Sequence, residues 1–299
     1  MEPSLTDGAP PRTWTVFLSY ILVFVALLVA GMAVVIVFLG MEVAGGGLSS
    51  RDPEKLAAAA MEFATSPESL VLNSLISSTV FILVPMGAVF LGRSTAGRRL
   101  RVRRAPVVWT GVFVIGLLCL STSIDSAFAL LGWSDLGTIG MVTRGIEDAS
   151  GVTIVLAVIT IGLGAGIGEE LFFRGFMQTR LRERWGPWPA IGVTAAAFGL
   201  VHLDPFHVTF AFVVGLALGW ITEVTGSIVP AVAAHMINNS LWVVLAWALP
   251  EPLPVPVHGM LLVLSLTMGM TAMVAIRLAH PAGAQGSAAR ALAQGVDKC

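Results

Sequence analysis

Charge is what this chain lacks most. Only 12% of its 299 residues are charged, against 56% hydrophobic, where a soluble domain carries about 25% charged residues. That leaves too little polar surface to cover a water-soluble globule of this length. Cysteine is equally scarce. Cys119 lies mid-run and Cys299 is the last residue, so neither a disulfide framework nor a thiolate metal cluster is expected. No HExxH pair occurs, so the short helical zinc motif is absent. No internal repeat is evident, which weakens a transporter built from inverted halves. The lipid-facing bulk gives no hint of nucleic-acid binding.

What the sequence does contain is a series of apolar runs long enough to cross a bilayer. Residues 1–12 are polar and Pro-rich and are expected to be disordered. The run Thr13–Gly40 exceeds the apolar region of a signal peptide and reads as a retained first span. Asp52-Pro53-Glu54 supplies an N-cap, an N1 proline and a first-turn acid for a short outer surface helix near 53–64. Further spans are expected at about 69–92, 106–132, from Val152 to Arg180, 188–203, 206–225, 229–249 and 257–279. The loop 133–150, with Asp135, Glu147 and Asp148 against Arg144, reads as an outer loop. Residues 280–299 read as a disordered tail. Arg93, Arg98, Arg99, Arg101, Arg103 and Arg104 follow span two, Arg180, Arg182 and Arg184 follow span four, and Arg277 ends span eight. Arginine excess marks the cytoplasmic side. The expected fold is therefore all-α: a polytopic integral membrane bundle of about eight transmembrane helices, both termini cytoplasmic. The N-terminal helices occupy 13–149, a core occupies 150–249, and the last helix lies in 250–279. The Gly/Ala/Arg-rich composition suggests a bacterial plasma membrane.

A charge at mid-bilayer costs roughly 2.5–3.5 kcal/mol on insertion scales, so the stretch GIGEELFFRGF, Gly166–Phe176, requires a reason. Glu170 and Arg174 are i and i+4 and can pair on one helix face. Glu169 lies about 100° away around the helix and has no local partner, and burial would raise its pKa towards that of a general base. His202, with Phe198 one turn before it, closes span five. His235 lies in span seven with Asn239 at i+4, beside Asn238. Taken singly, each histidine fits a core or interface role, and Asn238 and Asn239 fit helix–helix hydrogen bonding. Together they place a carboxylate, two histidines and an amide on three spans. His207, His258 and His280 look unremarkable near span ends or in the tail. Asp125 can pair within the bundle or line a cavity. Gly162, Gly164, Gly166 and Gly168 read as close helix packing rather than as a phosphate loop.

The motifs EELFFR, FGLVH and HMINN fit Glu-Glu-x-x-x-Arg, Phe-x-x-x-His and His-x-x-x-Asn, in order and on separate helices. This set resembles the CPBP family of intramembrane proteases, which includes the type II CAAX prenyl endopeptidases and bacteriocin-processing members. The resemblance implies that Glu169 and His202 activate a water for attack on a peptide carbonyl. It implies that His235 and Asn239 stabilise the oxyanion, with Glu170 and Arg174 in support. The implied substrate is a membrane-anchored peptide or protein, and the implied cofactor is none or zinc; Glu169, His202 and His235 would form the zinc set, with a metal-free mechanism slightly favoured. The competing readings are a transporter or proton relay using Glu169, Asp125 and the histidines, and a non-catalytic immunity factor.

Overall fold

The computed structural model describes residues 13–91, 100–134, 136–249 and 253–279, with side chains for all of these except 91 and 272–279. Arg93, Arg98, Arg99, Asp135, His280 and the two ends expected to be disordered lie outside the described residues, as does the side chain of Arg277. In lipid, backbone polar groups must be satisfied within the segment, which selects helices. The described elements are accordingly helical: α1 (Thr13–Ala44), α2 (Pro53–Thr65), α3 (Pro67–Leu91), α4 (Val107–Leu130), α5 (Gly137–Glu147), α6 (Gly151–Trp185), α7 (Pro187–Leu200), α8 (Pro205–Thr225), α9 (Val229–Ala248) and α10 (Val255–Ala279).

Each of the eight apolar runs is a helix. Among the described residues, α1, α3, α4, α6, α8 and α9 are long and apolar enough to cross a membrane, whereas α7, at 14 residues, is shorter. Helix α7 ends at Leu200 rather than 203 because Leu203 adopts a left-handed conformation, φ 63°, and Asp204 caps α8 through the backbone N–H groups of Phe206 and His207. The stretch 133–150 is not simply a loop, since it contains α5. Its helical signal is Ile139, Val142 and Ile146 at i, i+3 and i+7. Ile146 is fully buried in an apolar cluster with Ile154 and Val243, and Val142 packs against it. The surface helix α2 starts as its sequence dictates, with Asp52 accepting from the backbone N–H of Lys55 at 3.1 Å.

Helix α6 packs against α3, α7, α8 and α9. Four glycines set how closely two of these approach. A Cβ on Gly162 would meet Ser240, and one on Gly166 would meet the Met236 backbone, both on α9. A Cβ on Gly164 or Gly168 would meet Ser78 on α3. Residues four apart share a helix face and residues two apart face opposite ways, so the alternating glycines bring in one neighbour on each side. Helix α6 is π-helical over Val158–Gly164 and Leu171–Gln178, which leaves Ala165–Glu170 as a short α-helical segment between. Such insertions re-aim the side chains that follow and recur at functional sites. Below them lies an aromatic core in which Phe81, Phe172, Phe173, Phe176 and Phe198 are all buried.

Candidate active site

Glu169 and Glu170 end the α-helical segment between the two π-helical stretches. The pair read from the i, i+4 spacing is formed: Arg174 Nη1 donates to Glu170 Oε1 at 2.7 Å, with both side chains at 0% exposure. Beyond this bond the pair is only partly satisfied, since Glu170 Oε2 and Arg174 Nε are buried without a hydrogen-bond partner among the described residues. Arg174 Nη2 donates to the Gly215 carbonyl at 3.1 Å, and the guanidinium lies 4.6 Å from the Phe198 ring centroid.

Glu169 has no partner on its own helix among the described contacts but meets one from α9. His235 on α9 inserts between the two carboxylates, with Nδ1 3.0 Å from Glu170 Oε1 and Nε2 3.7 Å from Glu169 Oε2. The partner arrives from another span, across the close approach that Gly162 and Gly166 allow. A difference between the two glutamates remains. Glu170 contacts two cationic or polar hydrogen donors and is fully buried, while Glu169 is 14% exposed and lies at ion-pair rather than hydrogen-bond distance from His235.

Asn239 lies one turn beyond His235 on α9. Its Nδ2 donates to the Ile161 carbonyl at 3.3 Å, and Asn238 Nδ2 donates to Asn239 Oδ1 at 3.4 Å. Ile161 belongs to the first π-helical stretch, so the amide is fixed against the helix that carries the carboxylates.

His202 stands just past α7, in the turn that Leu203 makes. Its Nδ1 lies 3.0 Å from the Phe198 carbonyl and 3.3 Å from that of Gly199. A carbonyl only accepts, so Nδ1 carries the hydrogen and the Nε2 of the neutral ring is left as an acceptor. The Phe198 ring meets both histidines edge-on, His202 at 5.4 Å and 84° and His235 at 5.8 Å and 89°. One phenyl ring thus links His202 to the His235–Glu169–Glu170 group. His207, which looked unremarkable in the sequence, stacks on His202 with ring centroids 4.0 Å apart. Its position five residues on, across the capped start of α8, gave no periodic signal. His258 lies near the start of α10, which packs against α4, where Ser123 and Ser265 share a 2.7 Å hydrogen bond.

Among the described residues no three His, Cys, Asp or Glu side chains are grouped to hold a metal ion. His202 and His235 each pack edge-on against Phe198.

Two further polar residues escaped sequence reasoning. Gln178 Nε2 donates to the Gly219 carbonyl at 3.0 Å and to Glu223 Oε1 at 3.1 Å. Glu223 also accepts from Arg101 Nη1 at 2.7 Å and from Arg182 Nε at 2.6 Å. Residues 174, 178 and 182 on α6 thus face 215, 219 and 223 on α8 in a ladder of matched i, i+4 steps. The polar spacing Glu170, Arg174, Gln178, Arg182 was the available signal.

Residues 151–241 match the family model described as Type II CAAX prenyl endopeptidase Rce1-like. The matched stretch runs from α6 into α9 and contains all three motifs. No curated protein and no solved structure matches the chain.

Proposed function

We propose, from the premise that residues 151–241 belong to the type II CAAX prenyl endopeptidase Rce1-like family, that this multi-pass membrane protein hydrolyses a peptide bond of a membrane-bound or lipid-anchored substrate. The observation that carries the reading is the chain of contacts Glu169–His235–Phe198–His202, which gathers groups from three helices around one ring. In this mechanism Glu169, the more accessible carboxylate, acts as general base with the acceptor Nε2 of His202. The base takes a proton from water, and the water oxygen attacks the scissile carbonyl carbon. The tetrahedral oxyanion is met by the Asn239 N–H not engaged by Ile161 and by His235 Nε2, which donates only when the ring carries a hydrogen on both nitrogens, since Nδ1 donates to Glu170. The proton then passes to the departing amine as the C–N bond breaks. General base catalysis of this kind contributes about 10²–10⁴-fold, and each oxyanion donor roughly 10²–10³-fold. Arg174 and Glu170 hold His235 in place, Phe198 sets the angle between the histidines, and Asn238 steadies the Asn239 amide.

The arginine-bearing end of the bundle, where Arg101 and Arg182 meet Glu223, is assigned to the cytoplasm by the positive-inside rule, with both termini on that side of a bacterial plasma membrane. The mechanism is metal-free. The test is cleavage of a farnesylated CAAX peptide and of an acyl-anchored peptide by purified protein in proteoliposomes. Glu169→Ala and His202→Ala should abolish turnover, and a chelator should leave the wild type unchanged. Equal turnover in both variants and the wild type would remove the enzyme assignment. Loss with chelator, restored by Zn²⁺, would overturn the metal-free mechanism.

A further inference from the structure

His207 is assigned no part in the mechanism above, yet it touches a residue that has one. Its ring lies against His202 at a centroid distance of 4.0 Å and an angle of 43°. At that separation and tilt the two rings are in van der Waals contact rather than hydrogen-bonded. The contact covers a face of His202, while Phe198 meets the same ring edge-on at 5.4 Å.

His207 is itself fixed from two directions. Its backbone N–H donates to Asp204 Oδ1 at 3.0 Å, the N-cap bond that starts α8. Its Nδ1 lies 3.3 Å from Thr138 Oγ1 on α5. The intervening turn holds Leu203 at φ 63°, a conformation that L-residues avoid. Non-glycine residues held this way cluster at functional sites, where surrounding structure over-determines them. Here the turn has a visible result: it folds the chain back so that residues 202 and 207 meet ring to ring.

His202 needs such support. It lies beyond the last turn of α7, so its side chain is held by what meets the ring rather than by a helix of its own. The orientation that leaves Nε2 to accept depends on Nδ1 facing the Phe198 carbonyl, with that of Gly199 a longer second partner. A free imidazole prefers hydrogen on the other nitrogen, and the bond made by one nitrogen decides the state of the second.

We infer that His207 is a positioning residue: its ring is the wall that keeps His202 turned onto the Phe198 carbonyl, and so keeps Nε2 free to accept a proton. The inference rests on the catalytic reading of His202 for its effect on rate, but not for its effect on the ring. It assigns the work to the ring of residue 207 rather than to its hydrogen bond.

Two substitutions separate these contributions. His207→Phe keeps a ring and loses the bond to Thr138, whereas His207→Gln keeps a hydrogen-bonding group and loses the ring. The substrate-free readout is nitrogen NMR of isotope-labelled histidine in detergent-solubilised protein at alkaline pH, with the His202 signal identified by its absence in His202→Ala. Wild type and His207→Phe should hold His202 with hydrogen on Nδ1. His207→Gln should shift it towards the tautomer of free histidine. On the farnesylated peptide, His207→Gln should lower kcat by roughly 10²-fold, the scale of a misplaced catalytic group, with KM little changed and His207→Phe near wild type. An unchanged His202 tautomer in His207→Gln overturns the inference, as does a His207→Phe protein that behaves like His207→Gln. Full activity of His202→Ala would instead remove the proposed function, and the NMR result would still decide the role of His207.

Discussion

Two adjacent glutamates in one membrane helix show how far apart neighbouring residues can be in role. Glu170 is fully buried against Arg174 and His235, so removing it strands a buried guanidinium. Glu170→Ala should cost roughly 3–5 kcal/mol of stability, read as a lower thermal midpoint in detergent. Glu169 is partly exposed and more loosely held, so Glu169→Gln should remove activity while leaving that midpoint nearly unchanged. A matching loss of stability in both variants would contradict the division of roles. Leu203 offers a test of opposite sign. Its left-handed conformation costs an L-residue roughly 1–2 kcal/mol, and glycine's greater chain entropy returns part of that. Leu203→Gly should therefore raise the midpoint slightly and leave the turn, and turnover, intact. The i, i+4 pair was legible at this scale because both partners lie on one helix. The His235 contacts and the His202–His207 stack were not, because they join residues whose spacing carries no period.

At the scale of elements, the site depends on the closeness of α6 and α9. A Cβ at Gly166 would come within 2.8 Å of the Met236 nitrogen, a backbone atom that cannot swing aside. Gly166→Ala should push α9 away from α6, separate His235 from the glutamates and reduce cleavage at least tenfold. Gly192→Ala, where a Cβ meets nothing within 4 Å, should keep activity and stabilise α7 by up to about 1 kcal/mol. Similar losses in both variants would show that α7 is as intolerant as the α6–α9 contact. The alternating glycines announced close packing in the sequence, but not which helices they admit. The π-helical stretches on either side of Ala165–Glu170 had no sequence signal, since they depend on what packs against α6. Helix α5 did have one, in Ile139, Val142 and Ile146, obscured by the surrounding acids.

For the whole molecule, Glu223 ties α8 to two other parts of the chain at one end: Arg101 after span two, and Gln178 and Arg182 at the end of α6. Arg101 also accepts from the Ile228 N–H through its carbonyl, and the Arg103 carbonyl accepts from Ser227 Oγ. This clasp holds the 100–104 segment against the α8–α9 turn. Glu223→Ala should loosen it, so that trypsin cuts at Arg103 and Arg104 faster than in the wild type. With the proposed orientation, cutting should occur in inside-out vesicles and not in right-side-out ones. Cutting from the opposite side would reverse the orientation.

Composition alone determined that this is a helical membrane protein, because so apolar a chain cannot be solvated and must satisfy its backbone within helices. Three short motifs alone pointed to the family and to Glu169, His202, His235 and Asn239. Only the tertiary structure decided that His235 sits between both glutamates and that His207 stacks on His202. The physical reason is one of range. Hydropathy and i, i+4 spacing act within a single helix and can be read along the chain, whereas the site is made by side chains that meet only after α6, α7, α8 and α9 have packed.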